Sequence, residues 1–321
     1  MAFGEDLMRS FVPAKTFLMM LFAVTSSVSL AQVHLSGSGA QELTTTYRAQ
    51  IQDFRKERAQ TLLAPDGWLS LVGLEWLSPG VNTVGSAPDN RVHLLDGTPQ
   101  HLAVITQSGT AAGAELRIAP PAGGFPKDLK VDGVAATEGP LSANAKLTFG
   151  SYTVLLISRG DRLGLRIKDQ NAPTRVHFQG LNWFPVEEAY RIKAKWIPYS
   201  EPHAIDIATI IGTTLHEKVP GVAEFTIQGK VLRLEPIIEG DKLFFILRDA
   251  TSHTTTYEAS RFLYTESPSN GLTQPGELML DFNRLVNPPC AYTVYATCPL
   301  PPQQNRLAVA IEAGEKRYRE E

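Results

Sequence analysis

The sequence has little cysteine, no large excess of positive or negative charge and none of the common nucleotide-binding or hydrolase motifs. Its 30 basic and 33 acidic residues give a net charge of −3. Non-specific nucleic-acid binding needs a basic excess that neutralises phosphates, so we expect no nucleic-acid partner. The chain contains no G-x-x-x-x-G-K-S/T, G-x-G-x-x-G, H-E-x-x-H or G-x-S-x-G. These absences argue against P-loop, Rossmann, zinc-protease and α/β-hydrolase chemistry, and neither a cofactor nor a metal ion is predicted.

The longest apolar run lies near the N-terminus and is shorter than a membrane span. It covers residues 16–24, follows two basic residues and leads into small residues that end at Ala31. A transmembrane helix needs ~20 apolar residues, so a signal peptide over residues 1–31 is favoured over a membrane anchor. We expect a periplasmic or secreted protein that is cleaved after Ala31 and has no stable membrane insertion afterwards. The start codon, Met1 or Met8, stays open.

The two cysteines, Cys290 and Cys298, lie eight residues apart in a proline-rich segment. In an oxidising compartment such a pair predicts one disulfide that closes a short loop. Two buried free thiols and two thiolate metal ligands are the alternatives. A metal site would need two more ligands, and the nearest histidine in the sequence, His253, is distant.

The N-terminal part of the mature chain carries the one clear helical pattern. Apolar residues recur at helical spacing between Glu42 and Leu62, after a flexible start, which predicts an amphipathic helix. The apolar stripe consists of Leu43, Tyr47, Ile51, Phe54 and Leu62. A stripe of this kind packs against another part of the protein or against a partner.

The chain beyond Pro65 has the texture of a β protein. Short runs rich in β-branched residues are bounded by Gly, Pro, Asn or Asp, and turns such as Glu239-Gly-Asp241 join them as hairpins. The predicted fold is mainly β, with an N-terminal helix, a β-sandwich and a second antiparallel domain that is barrel-like or sandwich-like. The predicted divisions are the signal peptide at 1–31, a linker and helix at 32–64, the sandwich at 65–172 and a β-rich domain with the Pro/Cys loop at 173–321.

Residues 80–157 resemble a forkhead-associated sandwich. The resemblance rests on four motifs, Gly80-Val-Asn-Thr-Val-Gly85, Asn90-Arg-Val-His-Leu94, Thr98-Pro-Gln-His101 and Val131-Asp-Gly133. Phosphothreonine readers of that family carry an arginine after the second glycine, because a bidentate guanidinium fixes the phosphate. Ser86 stands at that position here. The resemblance therefore implies a structural sandwich and not a phosphopeptide reader.

A second unusual segment runs from Asp281 to Glu315 and combines polar residues with a stiff backbone. Its prolines fix φ and remove hydrogen-bond donors, which suits a loop that lines a pocket or seals a barrel mouth. Its candidate site residues are Asp281, Asn283, Arg284, Asn287 and Glu312, with Glu315 as a further carboxyl. The alternative is a structural plug held by an internal ion pair of Arg284 with Asp281 or Glu312.

This segment is similar to the bacterial family called domain of unknown function 1684. The motifs that carry the similarity are Gly67-Trp-Leu-Ser-Leu-Val-Gly-Leu-Glu-Trp-Leu77, Asp281-Phe-Asn-Arg284, Asn287-Pro-Pro-Cys-Ala291, Thr297-Cys-Pro-Leu-Pro-Pro302, Asn305-Arg-Leu307 and Ile311-Glu-Ala-Gly-Glu-Lys316. The similarity covers about residues 45–320 and implies little about activity. Family members without a signal peptide carry the same cysteine pair, which favours a local structural or site role for it. The family's Tyr-Gly-Gly-Gly-Arg-like run is replaced here, so only Tyr257 and Arg261 carry over.

Three functions are compatible with these features. The first is binding of a small, anionic ligand in the C-terminal domain by Arg261, Asp281, Asn283, Arg284, Asn287 and Glu312, because small-molecule sites favour barrel mouths with a few convergent polar groups. The second is a hydrolase or lyase that uses Asp281 with Glu312 or Glu315 as acid and base, and in which Arg284 stabilises negative charge. The third is a structural or interaction module of the cell envelope. The ligand, the oligomeric state and the presence of an enzymatic activity stay open.

Overall fold

The computed structural model of the chain describes residues 38–109 and 113–318, with side chains from residue 44 onward. The predicted signal peptide, its cleavage site and the start codon lie outside the described residues. The described chain is mainly β, with one long helix at its N-terminal end, which confirms the predicted fold class.

The long helix, α1, spans Ser38–Leu63 and begins earlier than the sequence pattern predicts. It has no internal proline, and the proline two residues beyond its end disfavours helical geometry in the residue before it. Tyr47, Ile51 and Leu62 are buried and Phe54 is partly buried, while most side chains between them are exposed. The part of the apolar stripe from Tyr47 to Leu62 is therefore covered by the rest of the molecule.

The remaining elements are short. A one-turn helix, α2, spans Pro173–Val176. Short 3-10 helices lie at Trp68–Ser70, Glu188–Tyr190, Phe282–Arg284, Pro289–Ala291 and Gln303–Asn305. The strands in chain order are β1 (Leu71–Trp76), β2 (Gly80–Gly85), β3 (Val92–His93), β4 (Ala103–Ser108), β5 (Glu115–Ala119), β6 (Lys130–Val131), β7 (Val134–Ala135), β8 (Gly139–Leu141), β9 (Lys146–Phe149), β10 (Tyr152–Arg159), β11 (Arg162–Asp169), β12 (Arg191–Ala208), β13 (Thr214–Ile227), β14 (Lys230–Leu234), β15 (Ile237–Glu239), β16 (Lys242–Leu247), β17 (Arg261–Thr265) and β18 (Gly276–Asp281).

Two sheets enclose the first core. One has the strand order β1-β11-β10-β9-β6-β7 and the other has the order β3-β2-β4-β5-β8. Side chains along β4 and β5 alternate between buried and more exposed positions, as expected for strands with one face on a core. The pairs are antiparallel except for β2 and β3, which run parallel. The core between the sheets is drawn from residues 77–167.

The quoted sandwich motifs hold one corner of these sheets through backbone contacts. A Cβ atom on Gly85 would lie 2.1 Å from the carbonyl oxygen of Gln100, so this close approach requires glycine. Ser86 Oγ donates to the carbonyl of Thr98 at 2.8 Å, and Asn90 Nδ2 donates to the carbonyl of Gln100 at 2.7 Å. Gly85, Ser86 and Asn90 thus have structural roles here, and the forkhead-associated relationship stays a prediction.

The C-terminal half forms open antiparallel sheets. A four-stranded sheet has the order β14-β13-β12-β18, and a three-stranded sheet has the order β15-β16-β17. Their shared core is drawn from residues 194–313. No sheet closes into a barrel within the described residues, so of the two predicted forms the barrel-like one does not occur there.

A third core cluster joins helix α1, the beginning of β1 and one face of the three-stranded sheet. Its buried members include Leu62, Leu71, Phe244, Phe262 and Tyr292. The cluster draws on both sides of the predicted boundary at residue 172, and that boundary stays a prediction.

Candidate functional site

Three of the predicted site residues form a network that holds helix α1. Tyr47 Oη donates to Asp281 Oδ1 at 2.7 Å, and Asn283 Nδ2 donates to Tyr47 Oη at 2.9 Å and to the carbonyl of Glu187 at 2.8 Å. Arg284 Nε lies 3.3 Å from Asp281 Oδ2. Burial, followed by the hydrogen bond to Asp281, raises the pKa of Tyr47 above its usual range. The polar groups therefore satisfy one another.

Arg261 anchors the C-terminal segment. It is fully buried and pairs with Asp249 at 2.7 Å. Its guanidinium also donates to the carbonyl of Ile311 at 2.9 Å and to that of Ala313. Burial lowers the pKa of Arg261, and the charge of Asp249 opposes this effect. The guanidinium is thus directed at protein groups, where it fixes the chain after residue 310.

Asn287 belongs to a second buried network, centred on Glu315. Asn287 donates to this carboxylate through Nδ2 at 2.9 Å and through its backbone N–H at 3.2 Å. Tyr292 Oη also donates to Glu315, and Arg58 Nε lies 3.5 Å from its second oxygen. Burial raises the pKa of Glu315, and the charge of Arg58 opposes this effect. Glu312 is exposed, and its backbone N–H donates to Tyr190 Oη at 3.3 Å.

The two cysteines are free thiols in this structure, so the predicted disulfide is not formed. The backbone N–H of Cys290 donates to the sulfur of Cys298 at 3.2 Å, and that of Cys298 donates back at 3.4 Å. A hydrogen bond from the Cys298 thiol lowers the pKa of Cys290, whereas burial raises the pKa of Cys298. The two sulfurs do not lie at bonding distance, and each instead accepts a hydrogen bond from the backbone N–H of the other cysteine.

An open cleft lies elsewhere in the C-terminal half. It has a volume of about 260 Å³ and is lined by Ile197, Tyr199, Val222, Arg233, Glu235 and Gln304. The pairing of β12 with β13 is irregular between Pro198 and His203, which frees Tyr199 from the regular ladder. Glu235 directly follows β14, and Gln304 lies in the 3-10 helix Gln303–Asn305.

Polar groups converge on Glu235 at one side of the cleft. Tyr199 Oη donates to Oε1 at 2.5 Å, and Gln304 Nε2 donates to Oε2 at 2.6 Å. His203 Nε2 lies 3.6 Å from the same Oε2, and its ring centroid is 4.8 Å from that of Tyr199. Burial and the hydrogen bond to Glu235 raise the pKa of Tyr199 to about 12. The hydroxyl therefore stays protonated and keeps its donor role.

The backbone beneath the cleft is fixed by Asn305. Its Nδ2 donates to the carbonyl of Glu235 at 2.8 Å and to that of Ile246 at 3.0 Å. Its Oδ1 accepts from the backbone N–H of Glu235 at 2.8 Å. Asn305 is buried, so these bonds hold Glu235 in place without contact with solvent. The sequence offered no short-range signal for the cleft because its residues come from four distant segments.

No group of three or more His, Cys, Asp and Glu side chains in the described part of the chain is arranged to hold a metal ion. None of the helices within residues 38–109 and 113–318 is both long and apolar enough to cross a membrane.

The fold and the cleft define a mainly β protein with open antiparallel sheets and a cleft of small-molecule size. Residues 176–316 match the model of a family described as a protein of unknown function (DUF1684). The match includes the Pro/Cys segment and supports the family resemblance for this part of the chain.

The chain is similar to the solution NMR structure of an uncharacterized protein from Haloarcula marismortui, with 29% sequence identity and a TM-score of 0.38. That similarity covers 44% of this chain and 79% of the other. No curated protein matches the chain.

Proposed function

We propose that the protein binds a small organic ligand in the cleft beside Glu235. The observation that carries the proposal is an open cleft of about 260 Å³ on which a carboxylate, a tyrosine hydroxyl and a side-chain amide converge. Small-molecule sites combine apolar walls with a few fixed polar groups, and Ile197 and Val222 supply the apolar part. The rigid support from Asn305 lowers the entropic cost of binding.

The hydrogen bonds already made in the cleft indicate the chemistry of the ligand. Tyr199 and Gln304 each donate one hydrogen bond to the carboxylate of Glu235. The side-chain oxygens of Tyr199 and Gln304 and the remaining lone pairs of Glu235 can therefore accept hydrogen bonds from a ligand. Arg233 donates to Glu224 at 2.7 and 2.9 Å, which neutralises the cation at the rim. These features favour a ligand rich in O–H or N–H donors, neutral or cationic, over the anionic ligand expected from the sequence.

The test is thermal unfolding of the full chain with maltose, spermidine, lysine and citrate as probes. We expect a hydroxyl- or amine-bearing probe to raise the Tm and citrate to leave it unchanged. Glu235→Gln keeps the shape of the side chain but removes the charge, so we expect at least an approximately tenfold loss of affinity, as for the loss of a charged hydrogen bond.

The matched control is Glu277→Gln, on a strand of the same sheet. Glu277 is exposed and pairs with Lys193 at 3.0 Å, and neither residue lines the cleft. This variant should bind like the wild type. Stabilisation by citrate alone, or equal binding by the wild type and Glu235→Gln, would contradict the proposal.

We propose in addition that the chain is exported and cleaved after Ala31. This rests on the apolar run and small residues of the first 31 positions. Intact mass and N-terminal sequencing of the protein from its native host should give a chain that begins at Gln32. A chain that retains its first residues would overturn this proposal and would leave the ligand site untouched.

A further inference from the structure

The backbone around Cys290 and Cys298 is anchored on both sides. Cys290 lies in the 3-10 helix Pro289–Ala291, and its carbonyl accepts from Tyr257 Oη at 3.2 Å. The carbonyl of Cys298 accepts from the backbone N–H of Ile210 at 2.9 Å. These contacts hold the two cysteines side by side independently of any covalent link.

The segment between the cysteines is a tight loop with a fixed base and an exposed tip. Near the base, Thr293 Oγ1 donates to the carbonyl of Leu71 at 3.1 Å, and Arg159 Nε donates to Thr297 Oγ1 at 2.9 Å. At the tip, Val294 is 88% exposed. The loop therefore reaches the surface while its two ends stay in register.

The two sulfurs differ in environment. Cys290 is partly exposed, whereas Cys298 is 5% exposed and packs in the third core cluster. The hydrogen bond from Cys298 lowers the pKa of Cys290, and the positive charge of Arg166, whose guanidinium lies 4.9 Å over the Trp68 ring, adds to this effect, whereas burial raises the pKa of Cys298. A partly exposed thiol with a buried thiol as its hydrogen-bond donor is the arrangement of an attacking and a resolving cysteine.

We propose that Cys290 and Cys298 form a thiol–disulfide exchange site that accepts low-molecular-weight disulfides at Cys290. Each backbone N–H already points at the sulfur of the other cysteine, at 3.2 and 3.4 Å, so each sulfur lies beside the residue to which it would bond. The same geometry makes the bond reversible, because a disulfide with a partly exposed sulfur can be attacked by an incoming thiolate.

The reaction proceeds in two exchange steps. The Cys290 thiolate attacks one sulfur of a disulfide RSSR, the S–S bond breaks, and RS⁻ leaves and takes up a proton. Cys298 then loses its proton and attacks the Cys290 sulfur, which releases the second RS⁻. The protein dithiol is oxidised to a disulfide, and RSSR is reduced to two RSH, so atoms and electrons balance.

The experiment uses the full chain, reduced with dithiothreitol and then freed of it, with glutathione disulfide as the probe. Acid quenching and intact mass follow the products over time. We expect the wild type to lose two hydrogen atoms without retaining glutathione. Cys298→Ser should accumulate one glutathionyl group, which peptide mapping locates on Cys290, and Cys290→Ser should react at least about tenfold more slowly.

Two results would overturn the proposal. One is a wild type that stays fully reduced at every ratio of glutathione disulfide to glutathione, and the other is faster reaction at Cys298 than at Cys290. If a serine variant does not fold, the rates of iodoacetamide alkylation at the two cysteines of the wild type decide the question. Cys290 must be modified at least about tenfold faster, and equal rates contradict the assignment.

Discussion

Glu239 is a buried carboxyl without a hydrogen bond of ordinary geometry. It is 5% exposed, and neither of its oxygens nor the hydroxyl of the adjacent Tyr264 has a hydrogen-bond partner at acceptable distance and angle. Burial, reinforced by the charge of Glu217, raises the pKa of Glu239 to about 7, although the nearby Tyr264 hydroxyl opposes the shift. The folded protein therefore holds this proton more tightly than the unfolded chain does.

We predict that the protein loses stability as the pH rises through the neutral range. Below pH 4.5, Glu239 is protonated in both states and has no effect. Between pH 4.5 and about 7 the unfolded chain releases this proton while the folded state retains it, so the free energy of unfolding falls. The full loss is about 3 kcal/mol and is complete above the folded pKa. Urea unfolding at pH 5, 6, 7 and 8 measures it.

The control for this prediction is Glu239→Gln, which cannot titrate. Other buried carboxyls such as Glu315 also have a raised pKa, so the difference between the two proteins isolates Glu239. We expect the stability of the variant relative to the wild type to rise from pH 5 to about pH 7 and to level off by pH 8. A constant difference across this range would show that Glu239 titrates as an exposed acid.

The sequence could predict the turn at Glu239 but not the burial of its carboxyl. The hairpin forms as expected, with Glu239 opposite Lys242 and a left-handed Gly240 at φ 64°. Residues two apart on a strand share a face, so Glu239 lies on the same side as Ile237, which packs in the third core cluster. An acid next to a turn ordinarily faces solvent, and only the packing of distant elements buries this one.

At the scale of elements, helix α1 is held by hydrogen bonds as well as by the apolar packing of its stripe. Tyr47 bonds to Asp281 and Asn283, and Phe54 packs edge-on against Trp183 with 6.1 Å between ring centroids. Both contacts lie in the C-terminal half of the chain. Because the stripe is used inside the molecule, it is not available as the docking surface of an interaction module.

We predict that Tyr47→Phe destabilises the protein by about 1–3 kcal/mol. The variant keeps the ring in the core but leaves Asp281 Oδ1 without its 2.7 Å donor and Asn283 Nδ2 without one of its acceptors. Buried polar groups that lose a partner carry a desolvation penalty of this size. Urea unfolding with an unchanged m-value measures the shift.

Tyr295→Phe is the matched control, because the Tyr295 ring is 39% exposed. It should change the free energy of unfolding by no more than about 0.5 kcal/mol. If both variants unfold at the wild-type midpoint, the network does not hold the helix. The stripe itself was predictable from spacing, whereas the polar partners of Tyr47 were not, because they lie more than 200 residues further along the chain.

At the scale of the whole molecule, some candidate site residues of the C-terminal segment are buried in hydrogen-bonded networks, whereas Glu312 is exposed at the surface. Asp281, Asn287 and Glu315 are directed at helix α1 and at groups of their own segment, whereas Asn305 is directed at the backbone of Glu235. The cleft at Glu235 was not predictable, because Tyr199, Glu235 and Gln304 meet only through strand pairing and the return of the tail. Composition and periodicity predict the fold class well, but they do not predict which distant residues come together in a site.

A buried polar cluster ties helix α1 to the C-terminal segment. Arg58 in helix α1, Asn287 in the Pro/Cys segment and Glu315 near the C-terminus form one buried cluster. Glu315→Gln removes the negative charge and leaves the Arg58 guanidinium buried opposite a neutral amide. We expect a loss of about 3 kcal/mol, at the lower end of the range for a broken buried ion pair, measured by urea unfolding.

Glu312→Gln is the matched control, since it makes the same chemical change three residues away on an exposed side chain. It should stay within about 0.5 kcal/mol of the wild type. Equal unfolding midpoints for the two variants would mean that the Arg58–Glu315 contact adds nothing to the fold, and the helix would then depend on Tyr47 and the apolar stripe alone.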